Sequence, residues 1–184
     1  MQVIPVTYFE QPHLLSVGQY YEGGVIGFVT GSFPNQQAIV IRPTILTTAR
    51  WGSNGVDVVG TSYDFFTGLT NSNLIVASEP TLNSAAKAAR EYTGDGFTDW
   101  CLPSASDLEA ICSNKKAGLL PMLETTTLIS SWTSTQYEDS RAWWVSIRDA
   151  TVNCEPSRIT NTKSAILNVR PVRYVTYSGN TQQS

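Results

Sequence analysis

Gly94-Asp95-Gly96-Phe97-Thr98-Asp99-Trp100-Cys101-Leu102-Pro103-Ser104-Ala105-Ser106-Asp107-Leu108-Glu109 constrains this chain more than any other stretch, because it joins a turn, a strand and a capped helix. Gly94 and Gly96 supply the backbone freedom of a turn, Trp100 and Leu102 alternate as on a half-buried strand, and Pro103 ends that strand. Ser104, followed three residues later by Asp107, predicts a helix start. The serine oxygen and the carboxylate both reach backbone N–H groups that a first helical turn leaves without partners. Trp100, Ser104 and Asp107 are therefore expected to be structural.

Two later segments join this one. Ser131-Trp132-Thr133-Ser134-Thr135-Gln136-Tyr137, continuing through Ala142-Trp143-Trp144-Val145, reads as an aromatic hairpin, and Val169-Arg170-Pro171-Val172-Arg173 lies near the end of the sequence. In this order the three segments resemble the C-terminal domain family of the Legionella collagen-like adhesin, whose members carry a G-x-x-D-W-x-L-P-[ST]-x-x-E-L core, a Y-W-S-S-T-E-like strand and a final V-R-P-V-R. The likeness extends to Gly23 through Val29, to Ala49-Arg50-Trp51-Gly52 and to Ala85 through Tyr92, covering most of residues 20 to 175. The resemblance implies an α+β, C-type-lectin-like fold: two helices packed on curled antiparallel sheets, with long loops presented on one side. It also implies binding rather than catalysis, since such domains occur at the ends of bacterial adhesins and in phage virion proteins. The division expected is an N-terminal extension over 1–21, the C-type-lectin-like domain over 22–177, and a flexible tail over 178–184.

Composition narrows the partners. The chain has 184 residues, enough to bury a core without metal or disulfide support. Charged residues make up only 15%, against the ~25% usual in soluble proteins. With a net charge of −3 there is neither the basic field that holds a phosphate backbone nor a polybasic run for a membrane surface. No segment approaches the roughly 18 consecutive apolar residues of a membrane-spanning helix, so membrane insertion is not expected. Met1-Gln2-Val3-Ile4-Pro5-Val6-Thr7 lacks the charged and apolar regions of a secretory signal. Either the sequence is a piece of a longer exported protein, or the protein is built into a particle in the cytoplasm and released by lysis; the initial Met1 and short chain favour the second expectation.

Cys101, Cys112 and Cys154 are odd in number and unpaired by spacing, so free buried thiols are expected, although a bridge between Cys101 and Cys112 is geometrically open. A single histidine, His13, cannot build a metal site or a Ser-His-Asp triad. Strands are predicted at Val25 to Val29, Ala38 to Ile41, Leu128 to Ser134, Ala142 to Ile147, Ala165 to Val169 and Val172 to Tyr177. Helices are predicted at Asn83 to Tyr92 and Ala105 to Asn114. Between them, Arg50 to Thr70 reads as a long structured loop, because Trp51, Tyr63, Phe65 and Phe66 need burial or a ligand.

Few residues are spaced for chemistry. Asp95, Asp99, Asp107 and Glu109 could form a calcium cluster, but no D-x-D-x-D-G spacing is present. Helix capping accounts better for Asp107, and an arginine partner, Arg170 or Arg173, accounts better for Asp99. No metal and no cofactor is expected. Glu155-Pro156-Ser157 departs from the E-P-N triplet of calcium-dependent lectins, and Glu138 with Asp139 near Arg141 reads as solvated charge at a hairpin tip. No catalytic residues are identified. The candidate contact residues are Trp132, Tyr137, Arg141, Trp143 and Trp144. Neighbouring Trp143 and Trp144 must face opposite sides of a regular strand, so one is exposed or partner-covered unless both faces of the sheet are buried. The expected function is a non-enzymatic binding or structural module. A bacteriophage virion protein of a tail fibre, tail tip or capsid decoration comes first, touching host-surface glycan or neighbouring subunits as a homo-oligomer, preferably a trimer. The alternative is the terminal adhesion domain of a bacterial surface protein.

Overall fold

In the computed structural model, residues 14–124, 129–147 and 159–178 are described. The fold is α+β. Its strands are β1 (Tyr20–Tyr21), β2 (Gly24–Ser32), β3 (Asn35–Ile41), β4 (Thr47–Arg50), β5 (Ile129–Glu138), β6 (Arg141–Ile147), β7 (Ile159–Thr162), β8 (Ile166–Val169) and β9 (Val172–Ser178). Its α-helices are α1 (Gly68–Ser78), α2 (Ala85–Glu91) and α3 (Ala105–Lys116). The strands form two curled sheets, ordered β1-β2-β3-β9 and β4-β8-β5-β6-β7. Among the described strands of these sheets, neighbours pair antiparallel except where Ser131 on β5 meets Asn168 on β8; outside the sheets, Arg50 of β4 makes a parallel bridge with Ser84.

Long-range pairing ties the ends of the domain together. β9 lies beside β3 from Asn35↔Ser178 to Ile41↔Val172, so the last strand completes the sheet begun by the first three. Residues before 22 join it too: Tyr20 pairs with Val25, the Gly18 N–H donates to the Ile26 carbonyl, and Leu15 is buried beneath the sheet. Residues 1–13 and the tail beyond Ser178 lie outside the described residues.

Among the described residues, three α-helices are present where two were expected. α1 arises at the end of the segment read as loop, because the polar run Thr70-Asn71-Ser72-Asn73 spans both faces of the helix: Asn71, Ser72 and Ile75 are buried while Thr70 and Asn73 are exposed. Polar residues on the inward face mask the periodicity. Ser72 Oγ accepts from the Leu102 N–H and Asn71 bonds Ser62, so those side chains serve the backbone of other segments. Entry into α1 requires glycine, since a β-carbon on Gly68 would lie 2.2 Å from both the Leu102 carbonyl and the Tyr174 hydroxyl.

The expected strand around Trp100 shrinks to one bridge, Cys101 with Val172. Trp100, Cys101 and Leu102 are all fully buried, so this segment threads between α1 and β9 with protein on both sides instead of alternating in and out. The helix start at Ser104 has the full capping box, with Asp107 N–H donating to Ser104 Oγ and Ser104 N–H donating to the Asp107 carboxylate. Strands β4 and β7 were not anticipated; they are edge strands of four residues each. The β5–β6 turn is also tighter than expected, with only Asp139 and Ser140 between the strands.

The core has three neighbouring apolar groups. One gathers Ile39, Ile41, Leu108, Ile111, Val145 and Ile147 between the sheets and α3; a second gathers Trp51, Ile75, Ala85, Ala89 and Trp132; a third centres on Trp100 under the first sheet. Each buried indole removes roughly 150–250 Å² from water, worth about 4–6 kcal/mol before ordering costs, so Trp51, Trp100 and Trp132 dominate the aromatic share of the core. Cys101 is a free buried thiol, whereas Cys112 is disulfide-bonded, which corrects the free-thiol expectation for Cys112 and excludes a Cys101–Cys112 bridge. Cys154 and the Glu155-Pro156-Ser157 triplet lie outside the described residues.

Candidate functional site

The aromatic hairpin divides its tryptophans between core and surface. On β5 and β6, Trp132 and Trp144 face each other across the ladder. Trp132 is fully buried, with its indole N–H donating to the Ala49 carbonyl at 3.0 Å; it is a core residue, which corrects its place among the contact candidates. Trp144 packs half-buried against the same core group, as the two-residue repeat of a strand requires. Trp143 points the other way. It is half-buried, with the Tyr137 ring edge-on at 5.0 Å and 79° and the Tyr63 ring edge-on at 6.0 Å and 86°. Neither tryptophan is wholly exposed, because Tyr63 covers part of Trp143 from a different segment.

Tyr63 is the residue that sequence reading placed only in a loop of dense aromatics. Its hydroxyl donates to Glu109 on α3, and its carbonyl accepts from the Ser106 N–H. Two residues later Phe65 stacks on Phe28 of β2, 5.0 Å apart and 9° from parallel. Tyr137 is 56% exposed and Phe65 43%, so each of the two ring groups carries open surface. The available signal was the unexplained density of rings between residues 51 and 66, not any motif.

That loop is fixed at many points. The Gly55 N–H donates to the Asp139 carbonyl, the Val58 N–H to Gln136 Oε1, and the Gln136 N–H to Thr61 Oγ1. Thr135 Oγ1 donates to the Ser62 carbonyl, and the Phe66 N–H donates to Asp107. Lys163 anchors the underside. It is fully buried, with Nζ 2.5 Å from the Val56 carbonyl, 2.6 Å from Gln136 Oε1 and 4.8 Å from the Trp51 ring centre. Burial pushes its pKa down, opposed by Asp57, Asp139 and Glu79.

The predicted structural residues separate into two latches. Arg173 pairs with Asp99, and Arg170 does not: its guanidinium donates to the Pro43 and Glu124 carbonyls at 2.7 and 2.8 Å. Burial lowers the Arg170 pKa to about 10. Asp107 accepts from Ser104, from Phe66 and from the Tyr174 hydroxyl at 2.5 Å, and burial raises its pKa against those bonds. Three of the four carboxylates considered for calcium therefore serve separate purposes, Asp99 on Arg173, Asp107 in the helix cap and Glu109 on Tyr63. Arg141 is held by Thr160, Nε to Oγ1 at 2.8 Å and Nη2 to the carbonyl at 2.9 Å. Glu138 accepts from Ser140 at the hairpin tip. Among the described residues, no helix is long and apolar enough to cross a membrane. No protein-family model matches the chain, and no curated protein matches it significantly.

Proposed function

We propose that this chain is a non-enzymatic contact module of C-type-lectin-like fold, which holds a rigid aromatic surface against a host-surface glycan or a neighbouring subunit. The observation that carries this reading is the arrangement of Trp143 with Tyr137 and Tyr63: three rings on separate segments, partly open to solvent, with the Tyr63 loop pinned by hydrogen bonds to the hairpin and to α3. Rings held in place lose little freedom when they bind, which makes them efficient contact groups. Helices packed on two curled antiparallel sheets, and a last strand paired into the first sheet, suit the lectin-like fold implied by the sequence resemblance.

The setting follows from that resemblance: a bacteriophage virion protein of a tail fibre, tail tip or capsid decoration, with the terminal domain of a bacterial surface adhesin as second reading. Copies in a virion fill a rotationally symmetric site, and a trimer is the expected assembly. The test is mass spectrometry of purified virions and of host surface fractions, with light scattering on the purified chain. A virion match and a trimer support the first reading; recovery only within a longer exported polypeptide supports the second. Turnover of a glycan by the purified protein contradicts both.

A further inference from the structure

The fold adds a third ring to the Trp143–Tyr137 pair. From the pinned loop, Tyr63 meets Trp143, while Phe65, two residues on, stacks on Phe28 as a separate pair. Two carboxylates border the rings. Glu109 receives the Tyr63 hydroxyl, and exposed Asp64 lies between Tyr63 and Phe65, accepting from Ser62 Oγ. Exposed Asp57, Glu138 and Asp139 lie on the same loop and hairpin. The cations there are engaged elsewhere: Arg141 on Thr160, and Lys163 beneath the surface on Val56 and Gln136.

We propose that Tyr63, Tyr137 and Trp143, bordered by Asp64 and Glu109, bind a neutral, hydroxyl-rich glycan; this deepens, and rests on, the contact function proposed above. A pyranose offers both groups such a surface needs. Its C–H face packs on an aromatic ring, and its hydroxyls donate to carboxylates in charge-assisted bonds. A sulfated or uronic glycan instead brings its own negative charge against Asp64 and Glu109, and like charges brought together cost affinity.

The experiment uses the full chain against immobilised neutral polysaccharides (dextran, galactomannan, mannan) and anionic ones (heparin, polygalacturonate), at low and high salt. Binding to a neutral polysaccharide that persists at high salt is expected. It falls about tenfold in Tyr137→Ala, an exposed position that leaves folding intact, and by a similar factor in Trp143→Ala. Glu109→Gln also weakens it, while Tyr63→Phe, which removes only the hydroxyl bond to Glu109, keeps the ring and most of the affinity. Binding confined to the anionic polymers and abolished by salt overturns the neutral-glycan inference and leaves the contact function standing. Binding to whole host cells that protease treatment removes, with no glycan bound, does the same. Failure to bind any polysaccharide or any cell overturns both.

Discussion

Arg173 grips Asp99 through both carboxylate oxygens, Nε to Oδ1 at 2.5 Å and Nη2 to Oδ2 at 3.1 Å, and so ties the second strand of the V-R-P-V-R segment to the Trp100 segment 74 residues earlier. The same guanidinium donates to the Glu22 carbonyl and lies 3.6 Å from the Phe97 ring centre. One buried side chain thus joins the first sheet's opening turn, its last strand and the turn before α3.

Arg173→Ala is expected to cost about 2–4 kcal/mol, since it removes a paired charge, a carbonyl bond and a ring contact together. Asp99→Ala costs less, about 1–2 kcal/mol, because the Glu22 carboxylate 3.5 Å away, the Glu22 carbonyl and the Phe97 ring still hold the Arg173 guanidinium. Arg173→Lys fails to restore the loss, as an ammonium cannot bond both oxygens in a fork. Urea unfolding midpoints check this ranking, and equal losses for the two alanine variants contradict it.

Gly68→Ala is expected to destabilise by more than the few tenths of a kcal/mol typical of a surface change, on the order of 2–4 kcal/mol, by pushing on the Leu102 carbonyl and the Tyr174 hydroxyl. Tyr174→Phe removes the bonds to Asp107 and to the Gly68 N–H, at about 1–3 kcal/mol. The double variant loses less than the sum, because the clash and the bonds share one hydroxyl. Additive losses in thermal unfolding argue against the shared contact.

Much of this was legible in the sequence, and what was missed has physical causes. Ser104 and Asp107 announce a helix start because capping is local chemistry, and Asp99 asks for an arginine because a half-buried carboxylate needs a donor. The choice of Arg173 over Arg170 was not legible, since it depends on which side of β9 faces Trp100. α1 escaped notice because Asn71 and Ser72 occupy inward positions to satisfy loop backbone. Trp132 and Trp143 look equivalent as hairpin aromatics, yet one meets Trp51's core group and the other meets Tyr63. Glu109's place in the contact surface is set by a loop 46 residues away in sequence.

Lys163 should leave a signature in alkaline pH. Its folded pKa lies below the ordinary 10.5 because burial penalises the ammonium. The unfolded chain therefore binds more protons at this position between the lowered value and 10.5, and the Lys163 contribution grows more favourable as pH rises through that window. Lys163→Met removes the slope, while other titrating groups contribute equally to both proteins. Denaturation across the alkaline range tests it, and parallel curves for the two proteins contradict the assignment.

Cys101 is expected to resist alkylation in the native protein, since burial raises its pKa well above the usual thiol range and removes it from solvent. Peptide mapping after iodoacetamide treatment should find Cys101 unmodified until denaturant is added. Modification of the native protein at the same rate as the unfolded chain contradicts the placement.

Equilibrium binding of the parent protein and Trp143→Ala to intact host cells, with both melting temperatures measured alongside, tests the contact surface most directly. Saturable binding by the parent, weakened about tenfold in a variant that melts within a few degrees of it, is the predicted result. A well-folded Trp143→Ala protein that binds as tightly as the parent contradicts the account.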